Sequence, residues 1–286
     1  GDVPTSKPLR AWLAALAPDV PQVAVDPHGA WHDPDGVVSG RVGALPALGA
    51  AGAGAWLARW RAADRAAAAA LRAAGGDGPD APLNEPLVAA EVVGALGPDA
   101  TLLVAASMPI RDVETFAPAR DDGPRIVANR GANGIDGTVA TALGLAAGGD
   151  GPVVLHIGDV ALAYDLGALL SARRLGGDLA IVLVNNDGGG IFHFLPVAGE
   201  RDVFEPQVAT PHGLDFAAAA ALYGARHVPV ATAGELRSAL AQATRPGAGV
   251  TIVEARTDRE ENVALHRRAW AAVAAALARD GAVADA

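Results

Sequence analysis

The sequence predicts an α/β fold, a doubly wound six-stranded parallel sheet preceded by the end of a second α/β domain. Three observations carry this. Apolar runs such as Val153-Val154-Leu155-His156-Ile157 and Leu179-Ala180-Ile181-Val182-Leu183-Val184 lack the alternation of half-exposed strands and read as strands buried on both faces. Helical patterns alternate with these runs, which implies crossover connections between parallel strands. Two of the runs also end in polar groups, Gly158-Asp159 and Asn185-Asn186-Asp187-Gly188. They place those groups at the sheet edge where open α/β folds bind ligands.

Taken in order, residues 22–25 read as a strand and 55–74 as an alanine- and arginine-rich helix, with the arginines from Arg59 to Arg72 on a solvated face. These are too few elements for an independent α/β domain, so the first segment is expected to be the tail of a domain whose beginning is absent. Residues 75–84, Gly-Gly-Asp-Gly-Pro-Asp-Ala-Pro-Leu-Asn, have the composition of a linker and set a boundary between domains 1–78 and 79–286. Beyond it a helix is expected over 85–96, capped by Asn84. Strands follow at 101–106, 125–128, 153–157, 179–184, 225–230 and 250–255. Helices are expected at 161–175, 215–222, 234–243 and, closing the chain, 260–279.

Composition narrows the function. In 286 residues, a 51% hydrophobic fraction supplies a core, but only 4% is aromatic and much is alanine, so helices pack on small side chains. A net charge of −10 without a basic cluster argues against nucleic acid as a partner. The absence of cysteine excludes disulfides, thiolate metal sites and a cysteine nucleophile. No apolar run approaches the ~20 residues that span a bilayer. The chain starts Gly1-Asp2-Val3-Pro4, without an initiator methionine or a signal-peptide pattern, as a processed or truncated piece would. A cytoplasmic protein is the expectation.

The two polar strand ends suggest a site. An aspartate, an amide oxygen and a carbonyl in a glycine-rich turn make three hard oxygen donors, suited to Mg²⁺ or Ca²⁺ holding a diphosphate. Taken alone, Asp159 reads as an N-cap and Asn-Asn-Asp-Gly as a turn. Their spacing argues otherwise. The 25 residues between Asp159 and Asn185 are what one crossover helix and the next strand consume, and they bring the two ends side by side. The seven histidines, His28, His32, His156, His193, His212, His227 and His266, have no metal-ligand spacing and read as structural.

Gly158-Asp159, the spacer and Asn185-Asn186 resemble the signature of thiamine-diphosphate enzymes, with Val160 where that signature usually has glycine. Four further segments narrow the resemblance to the MenD family, the 2-succinyl-5-enolpyruvyl-6-hydroxy-3-cyclohexene-1-carboxylate synthases of menaquinone biosynthesis. They are Val184 to Phe192, Ser107-Met108-Pro109-Ile110-Arg111-Asp112, Asn129-Arg130-Gly131-Ala132-Asn133-Gly134-Ile135-Asp136-Gly137 and Thr210-Pro211-His212-Gly213-Leu214-Asp215-Phe216. The resemblance is dense over residues 84–256 and loose before them.

That resemblance implies a thiamine-diphosphate-binding fold, with residues 79–286 as the diphosphate- and Mg-binding domain and 1–78 as the end of a central, transhydrogenase-like domain. It implies a transferase that decarboxylates 2-oxoglutarate and adds the resulting succinyl-semialdehyde carbanion to isochorismate. Asp159, Asn186 and the Gly188 carbonyl would ligate Mg²⁺ or Mn²⁺. Gly158, Val160, Gly189 and Ile191 would join them around thiamine diphosphate, with Ile135 propping the bent cofactor. Ser107, Arg111, Arg130, Ile191 and Phe192 would bind substrate, the arginines gripping carboxylates in bidentate fashion. Asp112 and Asp136 would orient those arginines, and glycines 188 to 190 would let backbone approach phosphate. For either arginine alone the plain reading is a surface ion pair, for Ile135 a core side chain and for Phe192 a loop anchor.

The cofactor-activating glutamate of such enzymes lies on a pyrimidine-binding domain of which no counterpart is expected in these residues, so no catalytic residue is assigned. The partner is then that domain, from the same or a neighbouring subunit of a homo-oligomer, and the chain alone is expected to be inactive. Two alternatives stand beside this reading. One is another thiamine-diphosphate 2-oxoacid decarboxylase or acetolactate-synthase-like enzyme, and the other is a non-catalytic cofactor-binding half.

Overall fold

The computed structural model describes residues 6–30, 32–45, 54–129, 134–149 and 151–279. The chain divides into two compact units, Gly1–Trp60 and Arg61–Ala286. The division falls inside a long helix, ahead of the linker-like segment 75–84.

In the first unit, helix α1 (Lys7–Leu16) starts at Ser6, whose Oγ accepts the Leu9 N–H. Strand β1 (Val23–Val25) pairs in parallel with β2 (Gly40–Val42), a strand too short to stand out in the sequence. Helix α2 (Gly54–Gly75) crosses into the second unit with Arg59, Arg61, Arg65 and Arg72 exposed.

The second unit is the predicted α/β sandwich. Asn84 caps α3 (Glu85–Ala95) by accepting the Leu87 N–H at 2.9 Å while its own amide donates to the Gly75 carbonyl. The chain continues through β3 (Thr101–Val104), α4 (Met108–Phe116), β4 (Arg125–Ala128), α5 (Thr138–Gly148), β5 (Val153–Gly158), α6 (Asp159–Tyr164), α7 (Ala172–Leu175) and β6 (Leu179–Asn185). After β6 come short 3₁₀ turns over Gly190–Phe194 and Pro196–Gly199, then α8 (Arg201–Phe204) and a π-type turn Glu205–Ala209. The chain closes with α9 (Phe216–Tyr223), β7 (Arg226–Val230), α10 (Ala233–Ala243), β8 (Val250–Arg256) and α11 (Arg259–Arg279).

All six strands of this sheet run parallel, in the order β4-β3-β5-β6-β8-β7. Neighbouring residues of a strand face opposite layers. Leu102, Val104, Val182 and Val253 pack with α3 and α10 on one face, and Leu103, Leu155, Leu183 and Ile252 with α5, α6 and α9 on the other. Burial on both faces explains the uninterrupted apolar runs. The chain leaves β3 toward β4 on one side and returns to β5 on the other, a topological switch that opens a crevice at the carboxyl ends.

The helix expected over 161–175 is not continuous. It breaks after Tyr164 into a 3₁₀ turn, Leu166–Ser171, before α7. Asp165 explains the break: its Oδ2 accepts the Val139 and Ala140 N–H groups at 2.7 and 3.1 Å, capping α5, whose own N-cap residue Gly137 has no side chain to do so. The bounds of α4 and α5 are not legible in the sequence, because Pro109 and the glycines at 137, 144 and 148 obscure their periodicity. No helix among the described residues is long and apolar enough to cross a membrane.

Candidate cofactor and metal site

Parallel pairing of β5 with β6 sets Gly158 opposite Val184, so Asp159 and Asn186 emerge from adjacent strand ends. Asp159 is buried at the start of α6. Its Oδ1 accepts the Val160 N–H at 2.7 Å, and its Oδ2 accepts those of Asn186 at 3.1 Å and Gly188 at 3.0 Å. It is therefore not a helix cap: that position belongs to Gly158, and the carboxylate instead ties two strand ends together.

Asn186 donates its amide Nδ2 to Glu85 Oε1 at 2.8 Å, which leaves Oδ1 buried and without a hydrogen-bond partner. Such an orphaned amide oxygen is costly unless a ligand completes it. The Gly188 carbonyl accepts only the Gly190 N–H in the described structure, at 2.9 Å, so a lone pair remains. Asp159, Asn186 and Gly188 thus offer three hard oxygen donors, and a Mg²⁺-like cation fits them. Among the described residues no group of three His, Asp or Glu side chains stands ready to hold a metal by itself.

The turn between donors is held left-handed, with φ of 59° at Asp187 and 139° at Gly188. Its glycines are also required by protein neighbours. A Cβ at 188 would strike the Ala209 carbonyl, one at 189 would lie 2.7 Å from the Phe192 ring, and one at 190 would lie 2.5 Å from Asn186 Nδ2. Gly190→Ala is therefore expected to push the Asn186 amide aside and weaken divalent-metal affinity about tenfold, read by titration with Mn²⁺.

Sequence reasoning missed Glu85. It is buried at the first turn of α3, and its Oε1 also accepts the Thr257 hydroxyl at 3.2 Å. Burial, reinforced by Asp112, pushes the Glu85 carboxyl up to about 7. Asp112 makes its hydrogen bond to His266 and meets Arg111 only through charge. Its Oδ1 lies 2.9 Å from His266 Nε2, while His266 Nδ1 faces the Asn262 carbonyl at 2.9 Å. Burial raises the Asp112 carboxyl; it pulls the His266 imidazole down, but the Asp112 hydrogen bond and charge outweigh that and raise it. This pair locks α4 to α11, with Phe116 and Phe194 edge-on to the imidazole.

His212, read from the sequence as structural, sits inside the site. Leu214 N–H donates to its Nδ1, which puts the neutral ring's proton on Nε2, 3.2 Å from Asp159 Oδ2 though not aligned for a hydrogen bond. Asp187 accepts the Gly213 and His212 backbone N–H groups at 2.7 and 3.0 Å; the Gly213 bond holds its carboxyl below the usual range. Only the Thr210 to Phe216 motif signalled this loop.

The substrate candidates fall along the same edge where they are described. Ser107 follows β3 with a left-handed φ of 75°, at the switch beside β5. Arg111 is exposed, and its Nη1 donates to the Ser107 carbonyl at 2.6 Å, leaving other guanidinium donors free. Arg130 lies outside the described residues. Ile135 is half-buried and packs against the α5-side core, Ile191 is half-buried, and Phe192 is exposed beside Gly189.

Residues 113–255 match the family described as thiamine pyrophosphate enzyme, C-terminal TPP binding domain. Two relatives named 2-succinyl-5-enolpyruvyl-6-hydroxy-3-cyclohexene-1-carboxylate synthase are similar in sequence. That of Myxococcus xanthus is 46% identical over 92% of this chain and 47% of its own length, and that of Rubrobacter xylanophilus 44% identical over 93% and 47%. The chain spans about half the length of the curated relatives it matches. Among solved structures, a putative thiamin diphosphate-dependent enzyme from Mycobacterium smegmatis aligns with a TM-score of 0.51 at 24% identity, over 63% of this chain and 32% of that one. A benzoylformate decarboxylase from Polynucleobacter necessarius aligns with the same TM-score at 22% identity, over 62% and 34%. These two likenesses speak for the fold.

Proposed function

We propose, for a chain that belongs to the thiamine pyrophosphate enzymes through their C-terminal TPP-binding domain, that it is the diphosphate-binding half of a 2-succinyl-5-enolpyruvyl-6-hydroxy-3-cyclohexene-1-carboxylate synthase. The observation that carries the cofactor part is the buried, unpartnered Asn186 Oδ1 beside Asp159 at two adjacent strand ends. In this reading Asp159, Asn186 and the Gly188 carbonyl hold Mg²⁺ or Mn²⁺. Gly158, Val160 and Gly189 border the diphosphate, while Ile135 supports the cofactor's apolar face. Residues 1–78 are the end of a central domain and 79–286 the diphosphate- and Mg-binding domain.

When bound, thiamine diphosphate supplies the electron sink that lets a 2-oxoacid lose CO₂. The chain's own residues bind and orient. Arg111, with Arg130 and Ser107, grips the carboxylates of 2-oxoglutarate and isochorismate, and Ile191 and Phe192 line the apolar side. The activating glutamate comes from a pyrimidine-binding domain, in the same or a neighbouring subunit of a cytoplasmic homo-oligomer, so this chain alone turns over little. Names of the similar relatives support the choice of substrates, as does the exposed Arg111 at the site edge, a cation that a simple 2-oxoacid decarboxylase has less need of.

Calorimetric titration with thiamine diphosphate, with and without Mg²⁺, tests the cofactor reading, and metal-dependent binding is the expected result. If a supplied pyrimidine-binding domain brings no binding either, the reading fails. Arg111→Ala in the complete synthase is expected to raise the KM for 2-oxoglutarate about 10- to 100-fold, the worth of a charged hydrogen bond, and to spare cofactor affinity. Unchanged kinetics would remove Arg111 from the substrate site.

A further inference from the structure

A carboxamide turned one way offers a hard cation an oxygen, and turned the other way only an NH₂ group that cannot ligate it. In Asn186 the choice is made by a residue 101 positions earlier in the chain, Glu85, whose Oε1 accepts the Asn186 Nδ2 proton at 2.8 Å. That acceptor is itself fixed. Thr257 donates its hydroxyl to the same Oε1 at 3.2 Å, and the Thr257 N–H is bound to the Asn185 carbonyl at 3.0 Å. The ends of β6 and β8 and the start of α3 therefore meet at one carboxylate oxygen. An oxygen that already takes the Thr257 hydroxyl presents an acceptor face to Asn186.

The surroundings favour the same orientation. Glu85 stands in the first turn of α3, where the helix N-terminus favours an acceptor or a negative charge. Gly190 leaves room for the amide, since a Cβ there would lie 2.5 Å from Nδ2. With Nδ2 committed, Oδ1 is the end left over, buried and unpartnered. A buried carboxylate serving only to hold the fold would be weakly justified, because an apolar side chain of similar volume generally fills such a place as well.

We propose that Glu85 is a positioning residue of the metal centre, which fixes the Asn186 carboxamide so that Oδ1 faces the cation. It rests on reading Asp159, Asn186 and Gly188 as a divalent-cation site. Glu85 touches neither metal nor substrate and acts through Asn186, as outer partners of metal ligands do.

The test is Mn²⁺ affinity, followed by the loss of the free-ion electron paramagnetic resonance signal, with thiamine diphosphate present. Glu85→Met keeps the volume and removes the acceptor, and Glu85→Ala is its companion, so that a folding failure in one leaves the other. Either folded variant is expected to bind Mn²⁺ about tenfold or more weakly than the wild type. Glu85→Gln, whose amide oxygen accepts the same two hydrogen bonds, should stay within about threefold. Adding Asn186→Asp to Glu85→Met should recover affinity, because a carboxylate shows oxygen whichever way it turns. Because the added charge by itself tightens cation binding, the recovery counts only in excess of the gain that Asn186→Asp gives in the wild-type background, and a purely structural role would show no such excess. Wild-type affinity in Glu85→Met and Glu85→Ala overturns the proposal while leaving the metal site in place, and so does a double variant without that excess. A wild type that binds no Mn²⁺ removes the site and the proposal together.

Discussion

Asp159→Ala is expected to reduce metal-dependent binding of thiamine diphosphate by about 100-fold or more, because two losses coincide. The first is a charged oxygen donor, the only anionic one in the set of Asp159, Asn186 and Gly188. The second is the order of the turn that carries the other two. Three backbone N–H groups, from Val160, Asn186 and Gly188, end on this carboxylate. Hydrogen bonds to a charged group contribute ~1.5–3 kcal/mol each, so their loss also lets the Asn186 to Gly188 segment move. Calorimetry in the presence of Mg²⁺ reads the effect. Cofactor affinity that stayed at the wild-type level, in protein shown to be folded by circular dichroism, would sink the metal assignment.

The second large effect concerns acid stability and comes from His156 on β5. The side chain is fully buried in the sheet, its Nδ1 has no hydrogen-bond partner, and burial pulls its imidazole down to about 4, opposed in part by a hydrogen bond to the Val182 backbone. A histidine whose folded value lies below the ordinary 6.5 contributes stability that is complete above pH 6.5 and is lost as pH falls toward 4. The gap between 6.5 and about 4 corresponds to about 3 kcal/mol. Urea unfolding of the wild type should therefore show stability falling between pH 6.5 and 4, and His156→Leu should flatten that fall by about this amount. An unchanged slope in the variant would mean that other groups govern acid unfolding.

Much of the fold was legible because its signals are local. Apolar runs located all six strands of the large sheet to within about two residues, and Asn84 announced the helix that it caps. Local signals failed where another part of the chain supplied the missing group. The crossover after β5 breaks at Asp165 because that side chain is engaged by the N-terminus of α5. The site was partly legible for the same reason. The length of chain between Asp159 and Asn186, which a parallel crossover dictates, sets the two side by side, whereas the crowding of the glycines by Ala209, Phe192 and Asn186 leaves no mark along the chain.

The sequence by itself determined the α/β class, the parallel strands and the polar groups at two strand ends, since burial on two faces and crossover length leave their mark along the chain. Only the tertiary structure decided what surrounds those groups. Insertion of β8 between β6 and β7 carries Thr257 to the end of β6, and packing of α3 brings Glu85 to the same point, 172 residues away in sequence. It likewise joins Asp112 to His266 across 154 residues and lays His212 against Asp159. Contacts of this span follow from strand order and helix packing, and a single buried carboxylate or imidazole shows no periodicity or spacing by which its partner can be read.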